Sequence, residues 1–493
     1  MKYIKLYLIA VLLTGGTACT SLLDKQPLDQ LTEDSFYKTE RDADNALLSC
    51  YAPLQDVEWN GKGWMITEIP SDNTQPGGTD PEFTPIDDFT VTADNVAVAN
   101  YWAVRYRGIT YANAVIGKLA GMTIDANRKN EFLAEAQFLR AVAYFDLVRV
   151  YGGVPVITEV PAFGEDLFFE RASEREVYEL IKTDLSFAAR HLPLERTGAG
   201  VGRATKGAAL AYLAKVHLTR REYVDARDRA KEVMETGVYE LMDNYQDNFE
   251  LSTSDNNRES IFQIQFAGCG PFGTGNPLQA FFAPWGEGIT KDRDGWGSQI
   301  PTSPLVSSPN TTILDAFTEG DLRRDPSIMT PNTFYPSVNA EDGGYTYPKR
   351  GASATTINIK KYVVGSGPNI CFMSTPQNAH LMRFADVLLI YAEAITVIKG
   401  GVTSDADALN AFNRVHTRAG LDPLDQIDMD IILQERRVEL AFEGHRWFDL
   451  IRTGRAMETL LLHGKKFQQH HVLFPIPAGE LEVNPKLVQN QGY

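Results

Sequence analysis

Residues 131–155 read EFLAEAQFLRAVAYFDLVRVYGGVP. Phe132, Ala136, Leu139, Ala143, Leu147 and Val150 recur at three- and four-residue spacing, so they line one face of an amphipathic helix. The alanines let a neighbouring helix approach closely. Gly152-Gly153 then ends the helix, and Pro155 prevents it from resuming.

The same period extends outward in both directions. A helix is expected to start near Thr32, with Glu33 and Asp34 in its first turn, and to run through Ala43 to Tyr51. Tyr101 to Leu119 carries Trp102, Tyr106, Ile109 and Ile116 on one face, and Glu174 to His191 is amphipathic too. In Ala204–Gly237, Leu210, Leu213, Ala214, Tyr223, Ala226 and Ala230 fall near the positions that pack the two helices of a tetratricopeptide unit. Met382–Gly420 reads as a second hairpin, and the spacing predicts one further helix from Ile431 to Arg452.

Two stretches break the pattern. From Asp56 to Ala97 the chain is expected to be loops, among them Trp59-Asn60-Gly61-Lys62-Gly63-Trp64, Pro70-Ser71-Asp72-Asn73 and Gly77-Gly78-Thr79-Asp80-Pro81. From about Asp243 to Thr375, Gly and Pro are dense and only Ser260–Phe266 alternates like a strand. Long irregular stretches in a compact body tend to carry function.

The N-terminus precedes the fold. Lys2 and Lys5, the apolar run Leu6–Leu13, and Gly15-Gly16-Thr17-Ala18 before Cys19 fit a bacterial lipoprotein signal, with Gly16 where such signals usually have Leu. Cleavage would leave Cys19 as a lipidated N-terminus; an ordinary secretory signal is the alternative. The expected plan is a signal peptide 1–18, a tether 19–31 and a body 32–493. The body divides into a helical part at about 32–245, a loop-rich middle at about 246–375 and a helical part at about 376–493. No other segment is long and apolar enough to span a bilayer as a helix. A net charge of −17 argues against nucleic acid and anionic surfaces as partners. Beyond Cys19 there are Cys50, Cys269 and Cys371, without metal-site spacing; one pair can form, and spacing leaves open which.

Four collinear segments resemble the SusD/RagB family. The first is Glu135–Val148 with Tyr151-Gly152-Gly153-Val154-Pro155. The second is Arg383–Ala394 with Arg418-Ala419-Gly420-Leu421. The third is Glu435–Leu450 with Arg452 and Gly454. The fourth is Pro475-Ile476-Pro477, Asn484-Pro485 and Gln489–Tyr493, with Gln491 where the family usually has Pro. The resemblance implies a mostly α fold, with four tetratricopeptide-like helix pairs, a loop-rich ligand-binding region and little β structure. It also implies an outer-membrane, lipid-anchored, cell-surface protein that captures an oligosaccharide for a SusC-like TonB-dependent transporter. A RagB-like peptide-capturing protein shares the same motifs, and a helical-repeat scaffold that binds only proteins is the rival class.

No enzymatic constellation is present. HExxH and GxSxG are absent. Residues 198–206 lack P-loop spacing, and Pro271 forbids a helix after Gly268-Cys269-Gly270. Glu287, Asp292 and Asp294 are too close in sequence for an argued glycosidase pair. Asp292–Gly295 and Asp255–Asn257 faintly suggest calcium loops but lack the full ligand series, so no cofactor is expected beyond the lipid, with a structural calcium as the alternative. His463, His470 and His471 read as a solvated or loosely packed cluster.

Sugar recognition needs aromatic faces for C–H surfaces and polar groups for hydroxyls. The irregular stretches supply Trp64, Phe281, Trp285 and Trp296 for the first, and Asp72, Arg293 and Asp294 for the second. These seven residues are the expected ligand contacts, with Cys19 the lipidation site.

Overall fold

The computed structural model describes residues 37–161, 164, 166–269, 275–284, 289, 300, 312–347, 357–371 and 373–493. Cys19, Trp285, Arg293, Asp294 and Trp296 lie outside the described residues.

Helices dominate. α1 (Glu40–Ser49) opens with a capping box between Thr39 and Asp42. α2 (Gly61–Glu68) follows a short turn. α3 (Val96–Gly121) and α4 (Ala126–Tyr151) are capped by Asn95 and Asp125, and α5 (Glu174–His191) by a Ser173–Glu176 box. α6 (Lys206–Thr219) and α7 (Tyr223–Glu235) form one hairpin. α8 (Phe384–Ile398) and α9 (Ala406–Arg418) form another, followed by α10 (Met429–Glu439) and α11 (Arg446–Thr453).

Each long helix packs on the next: α3 on α4, α4 on α5, α5 on α6, α6 on α7, α7 on α8 and α8 on α9. Fully buried alanines at 208, 211, 214, 226, 230, 385 and 392 permit this close stacking. The α4 stripe is interior as its period requires, and Gly152 ends the helix with φ +73°. The fold is the helical one that the sequence implies.

Between α7 and α8 the chain makes a loop-rich insertion. Its two ends lie together, since the Tyr239 and Phe384 rings are 6.5 Å apart. Inside it, β1 (Ser260–Ile264) pairs antiparallel with β2 (Ala379–Arg383), matching Gln263 to His380. The other described strand pairs are two or three residues long. A Cys269–Cys371 disulfide joins the two sides of the insertion, while Cys50 is free and buried.

A buried ion network binds the insertion to the helices. Arg383 bonds Glu259, Glu439 and Glu443 at 2.6, 2.8 and 2.7 Å. Arg418 bonds Glu259 and Glu439, and Arg323 reaches Asp321 and Glu435. Lys361 donates to the Glu443 carboxylate at 2.9 Å. Removing one member of such a buried set costs about 3–5 kcal/mol, because its partners keep their charge.

Three sequence expectations are corrected. Residues 61–64 begin α2 instead of a loop. Gly61 and Gly63 are there for space: a Cβ on Gly61 would stand 2.3 Å from Phe281 Cε2, and one on Gly63 2.9 Å from Arg105 Nη2. The single helix expected over 431–452 is two, α10 and α11, because Phe442 and Gly444 take φ +63° and +73°. The C-terminal histidines are packed, not solvated. His471 stacks on Phe89 and His470 meets Tyr493, while burial and the neighbouring His470 push His471 down to about 4.

Candidate functional site

The two irregular stretches meet in space. Asn276 caps the approach to a short helix, Leu278–Phe282, by accepting from Leu278 N at 2.9 Å. Its amide group also joins α2's entry, as Asn60 Nδ2 donates to Asn276 Oδ1 at 3.1 Å. Phe281 thereby lies against Gly61, and Phe282 meets Trp64 edge-on at 4.4 Å.

Phe281 lines a groove of about 660 Å³ together with Lys62 and Met65 of α2 and residues 76–80, Glu82 and Phe83 of the loop that follows. Asp80 folds that loop. Its Oδ1 accepts from Glu82 N at 2.8 Å and Phe83 N at 3.1 Å, an Asx-type turn. Lys62 Nζ lies 3.1 Å from the Glu82 carboxylate and 3.3 Å from that of Glu58. Partial burial opposes the ammonium, yet these two carboxylates outweigh it and hold the Lys62 pKa above the usual value. The groove offers an ammonium, carboxylate acceptors, the Gly77-Gly78 peptides and an apolar floor. Such a set reads hydroxyls by hydrogen bonds.

The described expected contacts fall differently from one another. Phe281 is only 2% exposed, so it shapes the groove wall more than it offers a stacking face. Trp64 is 7% exposed, and its indole N–H donates to the Phe442 carbonyl at 2.8 Å. The ring borders a small pocket of about 90 Å³ shared with Arg105, Asp146, Lys215 and His445. Asp72 is corrected outright as a ligand reader. It is 1% exposed and accepts from Arg446 at 2.7 and 2.9 Å, with Arg437 2.8 Å away. Burial alone would raise its pKa, but the two guanidiniums hold it far below the carboxylate range. Its oxygens serve to tie the 70–74 turn to α10 and α11.

Sequence reasoning missed Lys62, Asp80 and Glu82. The signal was present in Asp80 next to Pro81, a turn-forming pair in the loop already singled out. Asp255–Asn257 makes a turn into β1: Asp255 accepts from Asn378 N and Asn257 from Glu259 N and Ser260 N. Among the described residues, His217, Glu222 and Asp225 bring metal-ligand atoms near one another at the α6–α7 turn, where Lys182 also pairs with Glu222.

Known proteins share this architecture. The SusD family profile matches residues 258–493, and a profile described as starch-binding and associating with the outer membrane matches 23–218. A SusD-like protein of Bacteroides ovatus is 30% identical over 93% of this chain and 84% of its own length. A solved laminarin-binding SusD-like protein is 28% identical with TM-score 0.77, covering 93% of this chain and all of that one. A structure solved with a xylogluco-oligosaccharide is 27% identical with TM-score 0.77, covering 90% and 97%. With two profiles that divide the body between them and a relative aligned over nearly all of it, the chain belongs to the SusD/RagB family.

Proposed function

We propose that the chain captures an oligosaccharide at the cell surface and passes it to a SusC-like TonB-dependent transporter, held to the outer membrane by lipid on Cys19. The observation that carries this reading is the likeness, over nine-tenths of the chain, to structures that bind laminarin and a xylogluco-oligosaccharide. The groove beside Phe281 supports it, because its polar rim and apolar floor suit a hydroxylated ligand. A disulfide suits a compartment outside the cytoplasm. Trp285 and Trp296, on the segment that follows Phe282, are the proposed stacking platforms, with Arg293 and Asp294 orienting hydroxyls around them.

The role is binding without catalysis. Protein lacking Cys19 should be titrated with laminarin, xyloglucan and starch oligosaccharides and with a peptide pool. Trp296→Ala should weaken the best glycan about tenfold or more, since stacking contributes on the order of 1–3 kcal/mol. Binding only to peptides would favour the RagB-like reading. Release of shortened glycans, abolished by Asp292→Ala or Asp294→Ala, would overturn the non-enzymatic one.

A further inference from the structure

We propose that the Cys269–Cys371 disulfide, together with the buried amides Asn276 and Gln279, is a clamp that positions Phe281 and so sets the width of the ligand groove. The inference rests on the functional reading above for its purpose, but not for its geometry.

The described residues of the clamp are 268–269 and 275–284 on one side and 364–371 and 373–378 on the other. Cys269 N donates to Asn369 O at 2.9 Å beside the disulfide, and Ser374 Oγ donates to Gly268 O at 2.8 Å. Asn276 and Thr375 then exchange backbone bonds of 2.8 and 3.1 Å. Asn276 Nδ2 donates to Gln377 O at 3.0 Å. Gln279 completes the set: its Oε1 accepts from Val364 N and Gly365 N, both at 2.8 Å, and its Nε2 donates to Gly365 O at 2.9 Å. Asn276 and Gln279 are fully buried, so the bonds made by their amide groups are shielded from water.

Downstream of the clamp, packing of Phe281 against Gly61 and of Phe282 against Trp64 adds to what holds the helix. Leu278–Phe282 is five residues long, too short to be stable alone. Its position is therefore borrowed from its neighbours, and the clamp supplies the bonds to the buried amides. The disulfide ties together two residues 102 apart in sequence and so holds the two segments side by side. Cys371 is exposed, so a reductant can reach the bond.

Hydrogen–deuterium exchange tests this without any ligand. In the Cys269→Ser/Cys371→Ser protein, and in wild type treated with a phosphine reductant, amides 278–284 should exchange at least tenfold faster. Those of α4 should be unchanged, and reoxidation of the wild type should restore protection. Affinity for a laminarin oligosaccharide should fall about tenfold with the same reversibility. Unchanged exchange at 278–284 in both samples would overturn the clamp, as would faster exchange spread equally over α4. If oxidised wild type binds no laminarin, xyloglucan or starch oligosaccharide, the functional reading fails while exchange still decides the clamp.

Discussion

Gly61 and Phe281 are 220 residues apart in sequence and touch so closely that the glycine has no room for a methyl group: its Cβ would stand 2.3 Å from Cε2 and 3.1 Å from Pro277 Cγ. Gly61→Ala should force the ring toward the groove. Overpacking of this kind costs about 1–3 kcal/mol. A lower melting temperature and weaker glycan binding should appear together. Gly117→Ala, on the exposed face of α3 with nothing within 4 Å, should instead stabilise by up to about 1 kcal/mol and leave binding alone. Equal effects from the two alanines would refute the contact.

Asp72→Asn should remove a buried charge from between Arg437 and Arg446. The loss is expected at about 3–5 kcal/mol, read by chemical denaturation. Binding by the molecules that remain folded should match wild type. A stable Asp72→Asn protein with weakened binding would return this carboxylate to the ligand face.

Stability should fall as pH drops from about 6.5 to 4. Burial pushes His380 down to about 4 and His445 to about 3, so in this window the unfolded chain takes up protons that the folded one refuses. Each histidine costs roughly 3 kcal/mol by pH 4. Glu68 works in the opposite direction. Burial raises its carboxyl to about 7, so its penalty is present above pH 7 and fades as pH falls toward 4.5. His471, also pushed down to about 4, adds to the loss, so three histidines against one glutamate leave a net loss. A melting temperature that stays flat or rises from pH 6.5 to 4 would contradict this balance.

Cys19→Ala should move the protein from the outer-membrane fraction to the soluble one, and wild type should incorporate palmitate. Membrane fractionation unaffected by the substitution, without label in wild type, would sink the anchor.

The helical frame was legible because its signals are local. Caps such as Ser173 with Glu176 sit within one turn, and the alanine and aromatic stripes of α4, α6 and α8 repeat at helical spacing. What escaped depends on residues distant in sequence. Gly61 and Gly63 look like loop residues until Phe281 and Arg105 are placed beside them. Nothing near Phe442 announces its positive φ, which is held in place by Trp64 donating to its carbonyl and by Gly444 N donating to Glu68. Asp72 was read as a loop carboxylate because its two arginines lie more than 360 residues further on. For the proposed ligand face, composition singled out two stretches that meet in space, while the side chains that line the groove depend on how those stretches meet.

The contact between Tyr239 and Phe384 makes the segment between them exchangeable. Because the helices on either side already touch, a longer or shorter replacement pays only a logarithmic closure cost, about 0.6 kcal/mol per doubling. A chimera carrying a relative's segment should therefore fold on this frame, provided it keeps an acid where Glu259 stands and bases where Arg323, Lys361 and Arg383 stand, since these meet the frame's own charges. The wall that Phe281 contributes to the groove can thus change while the helical frame keeps its packing.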